Sequence, residues 1–250
     1  MIWLRIYGDS ISNFCMRTSK NMITSIGALS SLFFTLIFSC GTLVYGDKVN
    51  PGVFSKDSKP FGIPYNEWLA KWWQWNIGIP KDEHPRFNYM PEKCAVDQNG
   101  PVWFLSDLGA SGKEVRSCTI PSGKAILFPI LSGQCDYGLK EVNKNDDKLI
   151  ECAKKGNDFS TVAASVNGNE LRNLKGYRAT SGFFNITIPR DNIFEADPGT
   201  FRSIVDGYFV FLEPLPPGKH EIKFYDRVLN PIELGYNHEK EVTYLITVEG

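Results

Sequence analysis

"GYFVFLEPLPPGKHEIKFYD", residues 207–226, sets two kinds of apolar run on either side of a proline-glycine turn. Glu221 to Phe224 alternates, placing Ile222 and Phe224 on one face and charges on the other, which is the period of a half-buried strand. Gly207 to Leu212 is a denser run of aromatic and branched residues, also strand-forming. Pro217 and Gly218 fit the central positions of a type II turn, so the stretch reads as a hairpin. The same signals recur outward along the chain: "PVWFLSDL" (101–108), "EVRSCTI" (114–120), "KAILFPIL" (124–131), "STVAASV" (160–166), "GFFNITI" (182–188) and "EVTYLITVE" (241–249). "IPSGKAILF" (120–128) repeats the turn pattern with Pro121, Gly123 and Lys124, and reads as a second hairpin. Short strand-like runs separated by turn residues predict an all-β fold, an antiparallel β-sandwich or jelly-roll-like domain.

One segment breaks this pattern. "YNEWLAKWWQWNIGIP" (65–80) carries four of the six tryptophans. At 100° per residue, Trp68, Trp72 and Trp75 share one stripe, and Leu69 and Trp73 widen it, while Glu67, Lys71 and Gln74 lie opposite. Glu67 and Lys71 stand four apart, a spacing that supports a helix. Asn66 suits a cap, and Gly78 with Pro80 ends the run. The prediction is a short tryptophan-rich helix of about ten residues packed on the β domain, in line with the large area an aromatic side chain buries. Trp73, at the flank of the stripe, is the ring expected to meet a ligand. Trp103, in "PVWFL", is a second candidate contact. Residues 139–160 form a polar excursion with a short helix near 146–155.

The N-terminus points to export. Arg17 and Lys20 precede an uncharged stretch that runs to Asp47 and includes "LSSLFFTLIFSC". A basic region followed by an apolar one has the character of an export signal. Three outcomes fit: cleavage after "VYG" at Gly46, lipid attachment at Cys40, or an uncleaved membrane segment within residues 22–46. All three place the rest of the chain outside the cytoplasm, secreted or at the cell surface. The organisation is then a signal or membrane segment over 1–46, an extended proline- and glycine-bearing lead-in over 47–64, and one β-rich domain over 65–250.

Formal net charge is −1 for the whole chain and becomes −3 without residues 1–46, which carry three basic side chains and one acidic one. Neither value supplies the basic stripe that nucleic acid requires. The exported part keeps Cys94, Cys118, Cys135 and Cys152. An even number in an exported chain suggests disulfides, and four cysteines allow three pairings. Locality along the chain selects Cys94–Cys118 and Cys135–Cys152 as the simplest.

Motifs for chemistry are sparse. Three histidines, His84, His220 and His238, with no CxxC pair, argue against zinc. No cofactor or phosphate loop is indicated. Ser122 and Ser132 belong to turns, and no G-x-S-x-G occurs. Asp82, Glu83, Asp191, Glu195 and Asp197 are grouped acids whose spacing shows neither a calcium loop nor a glycosidase pair. Asn185, in "NIT", is the one glycosylation sequon, set within a strand-like run.

"EWLAKWWQW", "GPVWFL", "CTIPSGKAILFPIL" and "FLEPLPPGKHEI" together resemble a family of uncharacterised secreted prokaryotic proteins, over most of residues 60–248. The resemblance implies export, shared cysteines and a β-rich fold, and carries no catalytic residues. His84 and Pro85 depart from its plainer acidic loop. The expectation is a non-catalytic extracytoplasmic protein, either a binding protein for a glycan or another cell-envelope component or a structural protein of the cell envelope. The alternative is a secreted hydrolase acting on glycans, distinguished by two carboxylates facing each other across a cleft.

Overall fold

A computed structural model describes residues 49–87, 91–107, 111–229 and 237–250. The export or membrane segment read over 1–46 lies outside the described residues. Among the described residues, ten strands form two sheets. The first contains β1 (Val102–Phe104), β3 (Ala125–Asp136), β8 (Gly199–Leu212), β6 (Arg178–Thr180) and β7 (Phe184–Ile188). Its order is β1-β3-β8-β6, with β7 also paired to β8. The second runs β2 (Gly112–Ile120), β10 (Asn237–Val248), β9 (Gly218–Leu229), β4 (Ser160–Val166) and β5 (Asn169–Glu170). Most pairings are antiparallel, but β1 with β3 and β2 with β10 are parallel, so both sheets are mixed.

The expected tryptophan helix is α1 (Tyr65–Gly78). It starts at Tyr65 after Pro64 rather than at an Asn66 cap, because Pro64 already supplies the extended entry that a helix N-terminus needs. Asn66 instead reaches Thr180 O at 3.5 Å. A second helix, α2 (Asp146–Lys154), is capped by Asn145, whose side chain accepts from Lys148 N at 3.0 Å.

Three layers result, and they account for the two kinds of run. In β8, Tyr208, Val210 and Leu212 face the second sheet, while Val205, Phe209 and Phe211 face α1. In β3, Ile126, Phe128 and Ile130 face inward and Ala125 and Leu127 lie under the helix. Strands covered on both faces have no polar side to show, hence the unbroken apolar runs. In β9 only Ile222, Phe224, Asp226 and Val228 are buried, so that strand alternates.

The two proline-glycine turns are not hairpins. Residues 121–124 carry the chain from β2 in the second sheet to β3 in the first, and 213–217 carry it from β8 back to β9. Each is an arch across the sandwich. Pro129 is tolerated in β3 because the ladder to β8 shifts register between Pro129 and Leu131, and β1 pairs only as far as Leu127. Cys94 is bonded to Cys118 and Cys135 to Cys152. The first ties the turn at Pro91–Ala95 to β2, and the second ties α2 to β3. Among the described residues, no helix is long and apolar enough to cross a membrane.

Candidate functional site

All four tryptophans of α1 are buried: Trp68 at 6% exposure, Trp72 at 1%, Trp73 and Trp75 at 9%. Trp68, Trp72 and Trp75 donate their indole N–H groups to the carbonyls of Pro60, Leu105 and Val96 at 2.9–3.1 Å. Trp73 stacks against Phe194, with centroids 6.0 Å apart and planes at 28°. Trp103 lies in the core between the sheets, because β1 turns its ring inward. The ring that Trp73 would have offered to solvent is thus replaced by Phe194, which is 45% exposed; Phe87, at 48%, is another open ring of this region.

The two loops that carry these rings are built around buried polar side chains. The loop after α1 is fastened by His84, which is fully buried. Burial pushes its imidazole down to about 4, and the positive charges of Arg86 and Arg116 act in the same direction, outweighing the hydrogen bond to Asn76. The neutral ring donates from Nε2 to Asn76 O at 2.8 Å, the carbonyl end of α1, and accepts at Nδ1 from Arg86 N at 3.0 Å. Arg116 on β2, itself 5% exposed, donates to Pro85 O at 2.6 Å and Arg86 O at 2.8 Å. The same guanidinium is paired with Glu114 at 2.7 Å.

Asn192 does the equivalent for the loop after β7. Its side-chain amide donates to Pro189 O and Ala196 O, both at 2.9 Å. Its carbonyl oxygen accepts from Phe194 N at 3.1 Å and Ala196 N at 3.0 Å. A buried amide with this many partners holds the loop in one conformation. Lys81 N donates to Asp191 O at 2.7 Å, and the Lys81 ammonium pairs with Glu195 at 2.7 Å, so the two loops are joined.

The product is an aromatic face with a polar groove beside it. The Arg86 guanidinium lies 5.4 Å from the Phe87 ring centre and 5.9 Å from that of Phe194. The groove, about 610 Å³, is lined by Lys81, Asp82, Arg190, Asp191, Asn192 and Glu195. The size lies within the range of small-ligand sites. Exposed rings offer flat apolar contact, and the groove offers charged donors and acceptors. Of the acids singled out in the sequence, Asp82, Asp191 and Glu195 meet here.

Asn185 is exposed on β7, where its carbonyl accepts from Gln74 Nε2 at 2.9 Å, so its side chain is open to solvent despite lying in a strand. Among the described residues no three His, Cys, Asp or Glu side chains gather to hold a metal ion. Phe87, Arg86 and Phe194 were not legible as a site in sequence. Phe194 lies more than a hundred residues from Arg86 and Phe87, and the contacts between the two loops unite them.

No family model matches the chain, and no curated protein matches it. Solved structures do. One is described as PbICP-C in complex with falcipain-2, at 10% identity and a TM-score of 0.22, covering 60% of this chain and 100% of that one. Another is EhICP2, a cysteine protease inhibitor from Entamoeba histolytica, at 13% identity and a TM-score of 0.21, covering 59% of this chain and 95% of the other. Superpositions this low carry no argument about the present fold or its activity.

Proposed function

We propose that the domain is an extracytoplasmic binding protein and that a saccharide of the cell envelope docks on the face made by Phe87, Arg86 and Phe194. One observation carries this reading: two exposed rings, on loops joined by internal hydrogen bonds, stand beside a groove lined by side chains of both charges. A pyranose presents an apolar C–H face and a rim of hydroxyls, and this pairing of surfaces answers both. Two disulfides fit a protein outside the cytoplasm. Trp73 supports the face from beneath through Phe194, rather than touching the sugar. Because the loops are held before any ligand arrives, little ordering accompanies binding. A glycan array probed with the full chain and with the Phe87→Ala/Phe194→Ala variant tests it. The parent is expected to retain at least one saccharide that the variant loses. Retention by neither, or equal retention by both, contradicts the proposal.

A further inference from the structure

Strand β7 leaves one side of the first sheet open. It pairs with β8 from Phe184 opposite Ser203 to Ile188 opposite Gly199, and among the described residues no strand pairs with its other side. The run from Phe183 to Ile188 reads "FFNITI". A six-residue segment of mostly aromatic and branched side chains, without charge, proline or glycine, is the composition that adds readily to a strand of another molecule. The ladder to β8 runs without a bulge, and Pro189 and Arg190 close the run at one end only. Ile186 and Ile188 are buried in the layer shared with α1, while Phe183 is 36% exposed.

The solvent side of β7 carries Asn185 and Thr187. Both are exposed, and they stand opposite Arg202 and Thr200 of β8. The Thr187 and Thr200 hydroxyls lie 3.0 Å apart. Gln74 occupies the Asn185 backbone carbonyl, but among the described residues the Asn185 side-chain amide has no hydrogen-bond partner. An open cleft of about 320 Å³, bounded by Gln74, Gly78, Asn185, Thr187 and Pro189, lies against it. Asn185-Ile186-Thr187 is an N-x-Thr acceptor sequence. The two-residue period of a strand sends the middle isoleucine into the core and sets the amide and the hydroxyl on one open face.

We propose that Asn185 carries an N-linked oligosaccharide and that this glycan covers the β7 edge. The donor is an oligosaccharide joined through a diphosphate to a polyprenol. The Asn185 side-chain nitrogen bonds to the anomeric carbon, and the bond from that carbon to the diphosphate oxygen breaks. The diphosphate leaves with the electron pair, and one amide proton passes to solvent. Two disulfides fit a chain that travels an export route, where such a transfer takes place. A hydrated glycan beside the strand does what charge or proline does on other edges, which is to bar a second strand. This sugar is one the chain carries rather than one it binds. Its attachment does not rest on the aromatic face.

The test is mass spectrometry of the full chain isolated from the cells that make it. Trypsin releases residues 179–190 as one peptide, which contains the only N-x-Ser/Thr sequence of the chain. The peptide is expected at a mass raised by an oligosaccharide, located by fragmentation to Asn185. Asn185→Gln and Thr187→Ala are expected to lose the increment, and Thr187→Ser, which keeps the hydroxyl, to retain it. Recovery of the parent peptide only at its unmodified mass overturns the proposal, and so does an increment that survives Thr187→Ala. Sedimentation velocity tests the covering role. The two unmodified variants are expected to associate at concentrations where the parent and Thr187→Ser do not, and equal association in all four overturns that role. Saccharide retention on the array is expected to be the same in Thr187→Ala as in the parent, so failure here is distinguishable from failure of the binding face.

Discussion

Asp206 is 2% exposed and accepts from Arg178 Nε at 2.7 Å, Thr180 Oγ1 at 2.7 Å and Asn157 Nδ2 at 3.0 Å. Removing that carboxylate takes the buried partner from Thr180 Oγ1 and from the charged Arg178 Nε, while Asp158 still pairs with Arg178 and backbone carbonyls still hold Asn157. Asp206→Ala is expected to cost about 3–5 kcal/mol in urea unfolding, as for other buried ion pairs broken on one side. A loss under about 1 kcal/mol would show that water replaces the carboxylate without penalty. His84 gives a prediction in pH. Its folded value of about 4 lies below the ordinary 6.5, so the unfolded chain binds the proton first. The contribution is therefore complete above about pH 6.5 and declines as pH falls toward 4, by up to about 3 kcal/mol. Stability profiles of the parent and His84→Gln are expected to differ in slope across that window. Parallel profiles would mean that His84 is protonated as readily folded as unfolded. Neither residue could be assigned this role from sequence, where Asp206 is one acid among many and His84 has no neighbour that marks it.

At the scale of elements, α1 was legible because its four tryptophans repeat at helical spacing. Trp72 sits at its centre, with its N–H on Leu105 O at 2.9 Å and its ring edge-on to Phe209. Trp72→Ala is expected to destabilise by about 3–5 kcal/mol, since it opens a cavity and leaves a buried carbonyl without its donor. An unchanged melting temperature would place the helix's hold elsewhere. The turns at 121–124 and 213–217 were misread as hairpins for a physical reason. Proline and glycine report that the chain reverses, not which sheet the next strand joins. The dense runs "GYFVFL" and "KAILFPIL" held the missing information, because strands buried on both faces imply a third layer, and α1 is that layer. The parallel pairing of β2 with β10 had no local signal. It joins residues more than a hundred positions apart, and it brings Ser111 and His238, from segments without any shared motif, to hydrogen-bonding distance.

At the scale of the whole molecule, two sheets and a helix form a rigid frame from which the loops after α1 and β7 project. The sequence pointed to the β-sandwich and its tryptophan helix through periodicity, and the disulfides lie where chain locality put them. It marked Trp73 as the open ring of the helix, because the helical wheel shows which face Trp73 occupies and not that Phe194 from another loop covers it. The central claim is that this covered stack is a saccharide platform. The measurement that tests it most directly is intrinsic tryptophan fluorescence during titration with a saccharide retained on the array, followed in the parent, in Phe194→Ala and in Phe87→Ala. The account predicts a saturable change in the parent, with affinity weakened about tenfold or more in each variant while the melting temperature stays within a few degrees. Equal affinity in all three proteins would contradict it.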